Sequence, residues 1–170
     1  MGSNGKGDMG RPVVDRVHDG DSDSDGTVVD SLVEGKKMIE VALVFNRHGV
    51  GLQWHRPNGK CSHGGIGDDR GLWEFLWANR KEVGGVAHTH PWDGPAGPSG
   101  TDVTTFSAIE RGLGVKLVWP IVTLTEIGYF EWVGPDKHDY GDMRLRRFRL
   151  DPADIAELRE LSLKGDNGNG

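Results

Sequence analysis

Large apolar side chains are nearly absent from residues 1–26, a stretch rich in Gly and Asp, and then become dense. Met38 to Phe45 reads MIEVALVF. A run so rich in β-branched and apolar residues predicts a largely buried strand, and it carries one carboxylate, Glu40. Asn46-Arg47-His48-Gly49 reads as a turn, and Val50 to His55 as the hairpin partner. Residues 56–70 are Gly-rich and polar, the composition of a loop. Leu72, Phe75, Leu76 and Val83 share one helical face, which predicts a helix over 71–83 stopped by Gly84-Gly85. Gly85 to Thr89 is a short strand, and Pro91 to Pro98 a Gly/Pro loop. Ser99 opens a second helix through about Arg111, with Gly112 or Gly114 to end it. Val115–Thr123 and Ile127–Val133 predict two strands joined by a turn at Thr125 and Glu126. Pro120 has no N–H to give a ladder, so the first of these is expected at a sheet edge or a bulge. A polar link follows Gly134-Pro135. Asp151-Pro152 pairs an N-cap with proline at the first helical position, starting a helix to about Leu163 before a Gly/Asn tail.

There is no internal repeat. The element order is that of an α/β or α+β sandwich, a central sheet flanked by helices, rather than a repeated βαβ array. At 170 residues the chain fits one domain. The expected organisation is a disordered acidic, Gly-rich tail over 1–26, a folded domain over 27–135, and a linker, short helix and tail over 136–170. Composition narrows the function classes. Lys and Arg number 20 against 26 Asp and Glu, a formal charge of −6, which argues against a nucleic-acid partner that needs a broadly basic surface. No apolar run is long enough for a membrane span, and no apolar core of a secretion signal follows the N-terminus. Cys61 is alone, so neither an internal disulfide nor a multi-cysteine zinc site is expected. A cytoplasmic location follows as the expectation.

The chemistry concentrates between His88 and Asp102, in the sequence HTHPWDGPAGPSGTD. Two histidines at i and i+2 of a strand point to one face, so both imidazoles can reach one metal ion. Pro91 ends the strand, and Asp102 in the first turn of the next helix can add a carboxylate. Three ligands, His88, His90 and Asp102, leave a fourth position for water, the pattern of a catalytic zinc. Such a site needs a general base. Glu40 is the candidate because a carboxylate inside an apolar run is costly without a role. Glu34, beside Gly35 and two lysines, is the fallback. Each element also has a plainer reading. The His pair can be satisfied polar residues at a strand end, Ser99 with Asp102 is a near capping box, and Glu40 can face solvent from an edge strand. It is their combination and spacing that favours a reactive centre.

Other segments are weaker. Asp21-Ser22-Asp23-Ser24-Asp25-Gly26 matches half of a calcium loop, but the twelfth position is Leu32 where a Glu is required. His55, Cys61 and His63 match no metal-binding spacing. Arg144, Arg146, Arg147 and Arg149 form a basic run, read as a solvated strand or linker, with a docking patch for an acidic partner as the alternative. Trp73, Trp77, Trp119 and Trp132 are expected in core or rim. Trp92 lies in the loop beside the histidines, where it could line a substrate groove.

An upstream Glu on a strand, His-Thr-His-Pro, a short loop and Ser-x-x-Asp together resemble the signature of the JAMM (JAB, or MPN-plus) zinc metalloproteases. The likeness spans roughly Met38 to Val133. The run Glu40-Val-Ala-Leu-Val-Phe is similar to the Glu-bearing strand of the RadC-like branch. Gly-Pro-Ser99-Gly-Thr-Asp102 is similar to the short bacterial JAB proteins. The resemblance implies a cytidine-deaminase-like JAB/MPN α/β sandwich with one zinc ion on His88, His90 and Asp102. It makes Glu40 the general acid/base and Ser99 a stabiliser of the oxyanion. It implies a protein or peptide substrate cut at peptide or isopeptide bonds, including those of ubiquitin-like modifiers. Eight residues separate His90 from Ser99, one more than is usual in the family, and the extra residue is expected to bulge outward between Trp92 and Pro98. Two other classes compete: a phosphoesterase of the PHP type built on His-x-His, and a non-catalytic MPN-type binding scaffold.

Overall fold

The computed structural model describes residues 39–56, 69–143 and 148–164. They form β1 (Ala42–Asn46), β2 (Gly51–His55), α1 (Arg70–Ala78), β3 (Val83–Thr89), α2 (Gly100–Leu113), β4 (Trp119–Val122), β5 (Ile127–Trp132), β6 (Tyr140–Asp142) and α3 (Pro152–Lys164). The six strands make one mixed sheet in the order β2-β1-β3-β4-β5-β6. Only β3 and β4 run parallel; the other neighbours are antiparallel. The parallel pair needs a crossover, and α2 supplies it.

Strand alternation divides the core. Ala42, Val44, Val86 and Ile121 face one side, against Leu72 and Leu76 of α1 and Phe106, Ile109 and Leu113 of α2. Leu43, Phe45, Ala87 and Val122 face the other, against Leu158 and Leu161 of α3. The result is an α/β sandwich of three layers, as the element order implies. α3 belongs to it: Ile39 N donates to Ser162 O at 3.1 Å, and Ser162 Oγ donates to Ile39 O at 2.7 Å. Those two bonds hold the chain entering β1 against the last helix. The hairpin turn forms because Asn46 Oδ1 accepts from both His48 N and Val50 N. Gly49 closes it at φ +86°, where a Cβ would lie 2.7 Å from Arg149 O and from the Phe148 ring.

Three local expectations are corrected by tertiary contacts. The first helix ends at Ala78, not at 83, because Asn79 turns the chain: its N–H and its side-chain amide both donate to Phe75 O, and Asn79 O accepts from Glu82 N and Val83 N. Val83 is released to pair with Asn46 in β3. Gly84 is therefore a strand residue, and the strand expected from Gly85 begins two residues earlier. A Cβ at Gly85 would collide with the Val118 carbonyl oxygen and the Phe45 ring, so glycine here permits close strand approach. β4, despite Pro120, is central. Val118 exchanges bonds with Gly84 O and Val86 N, and Val122 O accepts from His90 N, so by alternation the Pro120 nitrogen faces β3. The β3–β4 ladder is interrupted there and resumes at His88–Ile121. The polar link after Gly134-Pro135 contains β6, whose Tyr140 packs edge-on against Phe106 at 5.4 Å. The segments carrying the tail over 1–26, the calcium-like run, Glu34, Cys61, His63 and Arg144, Arg146 and Arg147 lie outside the described residues.

Candidate metal centre

β3 carries His88 and His90 to the C-terminal end of the sheet, both buried. Pro91 leaves the strand, and the chain returns as α2 with Ser99 as its N-cap. Ser99 Oγ accepts from Asp102 N at 3.1 Å, and Asp102 Oδ2 accepts from Ser99 N at 2.7 Å, a reciprocal capping box. This cap orients the Asp102 carboxylate toward the strand. Oδ2 lies 3.1 Å from His90 Nε2 and Oδ1 3.4 Å from His88 Nε2, while the two Nε2 atoms are 3.1 Å apart. Phe106, one turn further along α2, closes the floor edge-on to His88 at 5.8 Å.

These three donor atoms fit a cation better than they fit one another. Two imidazole nitrogens at 3.1 Å can share at most one proton. Both Nδ1 atoms are buried with no hydrogen-bond partner, so the rings gain little from this packing. Ligands about 2.0–2.1 Å from a tetrahedral ion stand about 3.3 Å apart, close to the separations seen. The charge states agree. Burial lowers the His88 pKa, favouring the neutral ring that ligates. Burial works to raise Asp102, but side-chain hydrogen bonds from His88, His90 and Ser99 outweigh it. They hold the carboxyl well below the usual range. Among the described residues, His88, His90 and Asp102 are the group of His, Cys, Asp or Glu side chains that could hold a metal ion.

Glu40 precedes β1 rather than lying within it. Its backbone is aligned by Thr89, the residue between the histidines, whose Oγ1 accepts from Val41 N at 2.9 Å and donates to Ile39 O at 3.4 Å. Thr89 N also donates to Val41 O. The register pairs Ala42 with His88, so continuing it sets Glu40 opposite His90, on the same sheet face as both histidines. Glu40 is 4% exposed, and its Oε2 has no hydrogen-bond partner. Burial pushes its pKa up to about 7; His90 pulls it down and the Asp102 charge pushes it up. The solvent-facing reading of Glu40 is thereby excluded. Ser99 is exposed, and its hydroxyl accepts from Asp102 N and lies against the Asp102 carboxylate.

The loop between His90 and Ser99, with its one extra residue, is tied down. The turn between β4 and β5 grips it: Thr123 Oγ1 donates to Gly94 O at 2.9 Å, Thr125 Oγ1 to Asp93 Oδ1 at 2.8 Å, and Ala96 N to Glu126 Oε2 at 3.3 Å. Arg159 of α3 braces that turn by donating to Thr123 O and Glu126 O. Sequence reasoning found the three residues that could hold an ion but missed Thr89, Thr123, Glu126 and Arg159. The one available signal was at Thr89, since a threonine between two inward histidines must face the other way and has a hydroxyl to place. His55 is buried elsewhere on the sheet, with Nδ1 3.7 Å from Asp69 Oδ2. Trp119 is core and stacks on Phe106 at 4.1 Å. Trp73 is half-buried, and Trp77 and Trp132 are on the rim. No helix among the described residues is long and apolar enough to cross a membrane. No protein-family model matches the chain, and no curated protein matches it.

Proposed function

We propose that this protein is a zinc metallopeptidase of the JAMM type, cutting peptide or isopeptide bonds, including those that join ubiquitin-like modifiers to lysines. The observation that carries the reading is a buried carboxylate without a hydrogen-bond partner on Oε2, Glu40, set on the same sheet face as a buried His88–His90–Asp102 cluster. His88 and His90 through Nε2, and Asp102 through its carboxylate, would hold the ion. When bound, the ion supplies Lewis acidity toward water and toward the scissile carbonyl.

The chain's own groups do the rest. Glu40, buried with no hydrogen-bond partner on Oε2, is the group that would take a proton from the attacking water and give it to the leaving amine. The Ser99 hydroxyl would donate to the oxyanion as the carbonyl becomes tetrahedral. The capping box fixes Asp102 and Ser99 together, so ligand and oxyanion donor share one rigid helix start. A PHP-type phosphoesterase would call for further His and acidic ligands around the cluster. No larger His, Cys, Asp and Glu cluster forms among the described residues.

The test is metal content with hydrolysis. Purified protein should carry about one zinc per chain, and His88→Ala or Asp102→Ala should lose it together with cleavage of a Gly-Gly isopeptide-linked reporter. Full zinc retention in both variants would refute the ligand set. Zinc binding without hydrolysis of any peptide or isopeptide would favour the non-catalytic scaffold.

A further inference from the structure

Exposed indoles are costly, and this protein treats its exposed tryptophans differently. Trp77 lies under the Arg80 guanidinium at 4.6 Å, and Trp132 under the Lys116 ammonium at 3.9 Å. Trp132 Nε1 also donates to Asp136 O. Trp92 is 43% exposed, and among the described residues no cation covers it. Its ring leans on His90 at 4.2 Å between centroids, tilted by 38°. It is therefore the uncapped indole, and it borders the metal centre.

The Trp92 backbone is held in place. Its N–H donates to His90 O at 2.8 Å and its carbonyl accepts from Leu124 N at 3.2 Å. The rest of the loop is held by Thr123, Thr125 and Glu126. A rigid aromatic surface loses little conformational entropy when another group packs on it. Its exposed remainder is apolar area that a ligand can cover.

We infer that Trp92 is a specificity-determining wall of the site, taking a large apolar side chain on the residue next to the scissile bond. This rests on the peptidase reading above and adds a substrate preference to it. A glycine there leaves the indole wet, whereas a phenylalanine or leucine covers it, so a Gly-Gly-linked substrate would be the weaker-binding class and a peptide with a large apolar residue the preferred one. The preference is about tenfold, from aromatic contacts worth about 0.5–1.5 kcal/mol plus area removed from water.

The experiment separates docking from turnover. Zinc-loaded Glu40→Gln protein is titrated, by NMR at millimolar range, with acetyl-Gly-Gly-Phe-Gly-Gly-amide and with its all-glycine counterpart. The Phe peptide should bind about tenfold tighter. Adding Trp92→Ala should abolish that difference, and Trp92→Phe should keep most of it, with zinc content equal in all three. In the otherwise wild-type enzyme, Trp92→Ala should raise KM for the Phe peptide with kcat nearly unchanged. A preference that survives Trp92→Ala overturns the inference, as does equal weakening of both peptides or binding of neither. If the Trp92-dependent preference holds but nothing is hydrolysed, the wall stands and the peptidase reading falls.

Discussion

Helix α2 bears a buried carboxylate near each end, and the two are managed in opposite ways. Glu110 is saturated. It accepts from Lys116 Nζ at 2.9 Å, Leu117 N at 3.1 Å and Trp119 Nε1 at 3.1 Å. Those bonds tie the helix end to the strand that follows, a structural use of charge. At the other end, Asp102 faces His88 and His90, whose Nδ1 atoms are orphaned, across from Glu40, whose Oε2 is orphaned too. Phe106 lies between, touching His88 on one side and stacked on Trp119 on the other. The same helix face and the same apolar layer thus hold one satisfied acid cluster and one unsatisfied one. Unpaired buried polar groups are costly; at this end it is the unpartnered Glu40 Oε2, beside Nε2 and carboxylate atoms set close enough to share one cation, that makes a candidate ligand site.

The contrast breaks most visibly at Glu40. Glu40→Gln keeps the side chain's shape and removes its basicity, so hydrolysis should fall by about 10²- to 10⁴-fold with zinc retained. Full turnover by this variant would remove Glu40 from the mechanism. Ser99→Ala should lower kcat by about 10- to 10³-fold and also cost about 1 kcal/mol of stability, because the hydroxyl caps α2. A stability loss with unchanged kcat would leave Ser99 as a cap alone.

Glu110→Ala should show the reverse profile. Losing a buried acid that three donors share should destabilise the fold by about 3 kcal/mol or more, read by denaturant unfolding, with zinc stoichiometry unchanged in the folded protein. Zinc loss at full stability would erase the distinction between the two ends of α2.

The smallest effect is in pH dependence, measured on chelated protein because a bound cation would pull the Glu40 pKa down. Glu40 has a folded pKa of about 7 against an ordinary 4.5. Between those values the folded state binds more protons, so this group's stabilisation is full below pH 4.5 and is lost as pH rises through 7. At about 1.4 kcal/mol per pH unit the swing is bounded by about 3.5 kcal/mol, and solvent screening brings it lower. His88, lowered by burial, acts in the opposite sense and gains stability as pH rises through its unfolded value near 6.5. Comparing wild type with Glu40→Gln isolates the glutamate: the variant should lack the decline, gaining on wild type as pH rises from 4.5 to 7. Parallel curves would show that Glu40 is not held protonated by its surroundings.

Short-range chemistry made most of the centre legible. The i, i+2 histidines must share a strand face, and Ser99 and Asp102 satisfy a helix start by local bonds. Asn46 builds its turn from its own neighbours, and Asp151-Pro152 begins α3. These need only residues a few positions apart, and each is where the sequence places it. The placement of Glu40 was half legible: its cost in an apolar run signals a role, but its unpartnered state depends on what packs around it.

What the tertiary structure alone decided is set by distant segments meeting. Val83, freed from the predicted helix by the Asn79 turn, finds its partner in Asn46 of β1. Gly85 must be glycine because the Val118 carbonyl and Phe45 ring press where a Cβ would be. Pro120 occupies a central strand because the β3–β4 ladder can be interrupted at one position while Val118 and Val122 keep their bonds. The loop after His90 is held because Thr123, Thr125 and Glu126, some thirty residues away, grip it, and Arg159 grips their turn. Residue type and periodicity specify which face a side chain prefers. They do not specify which distant backbone will approach it, because that is decided by packing of the whole sheet.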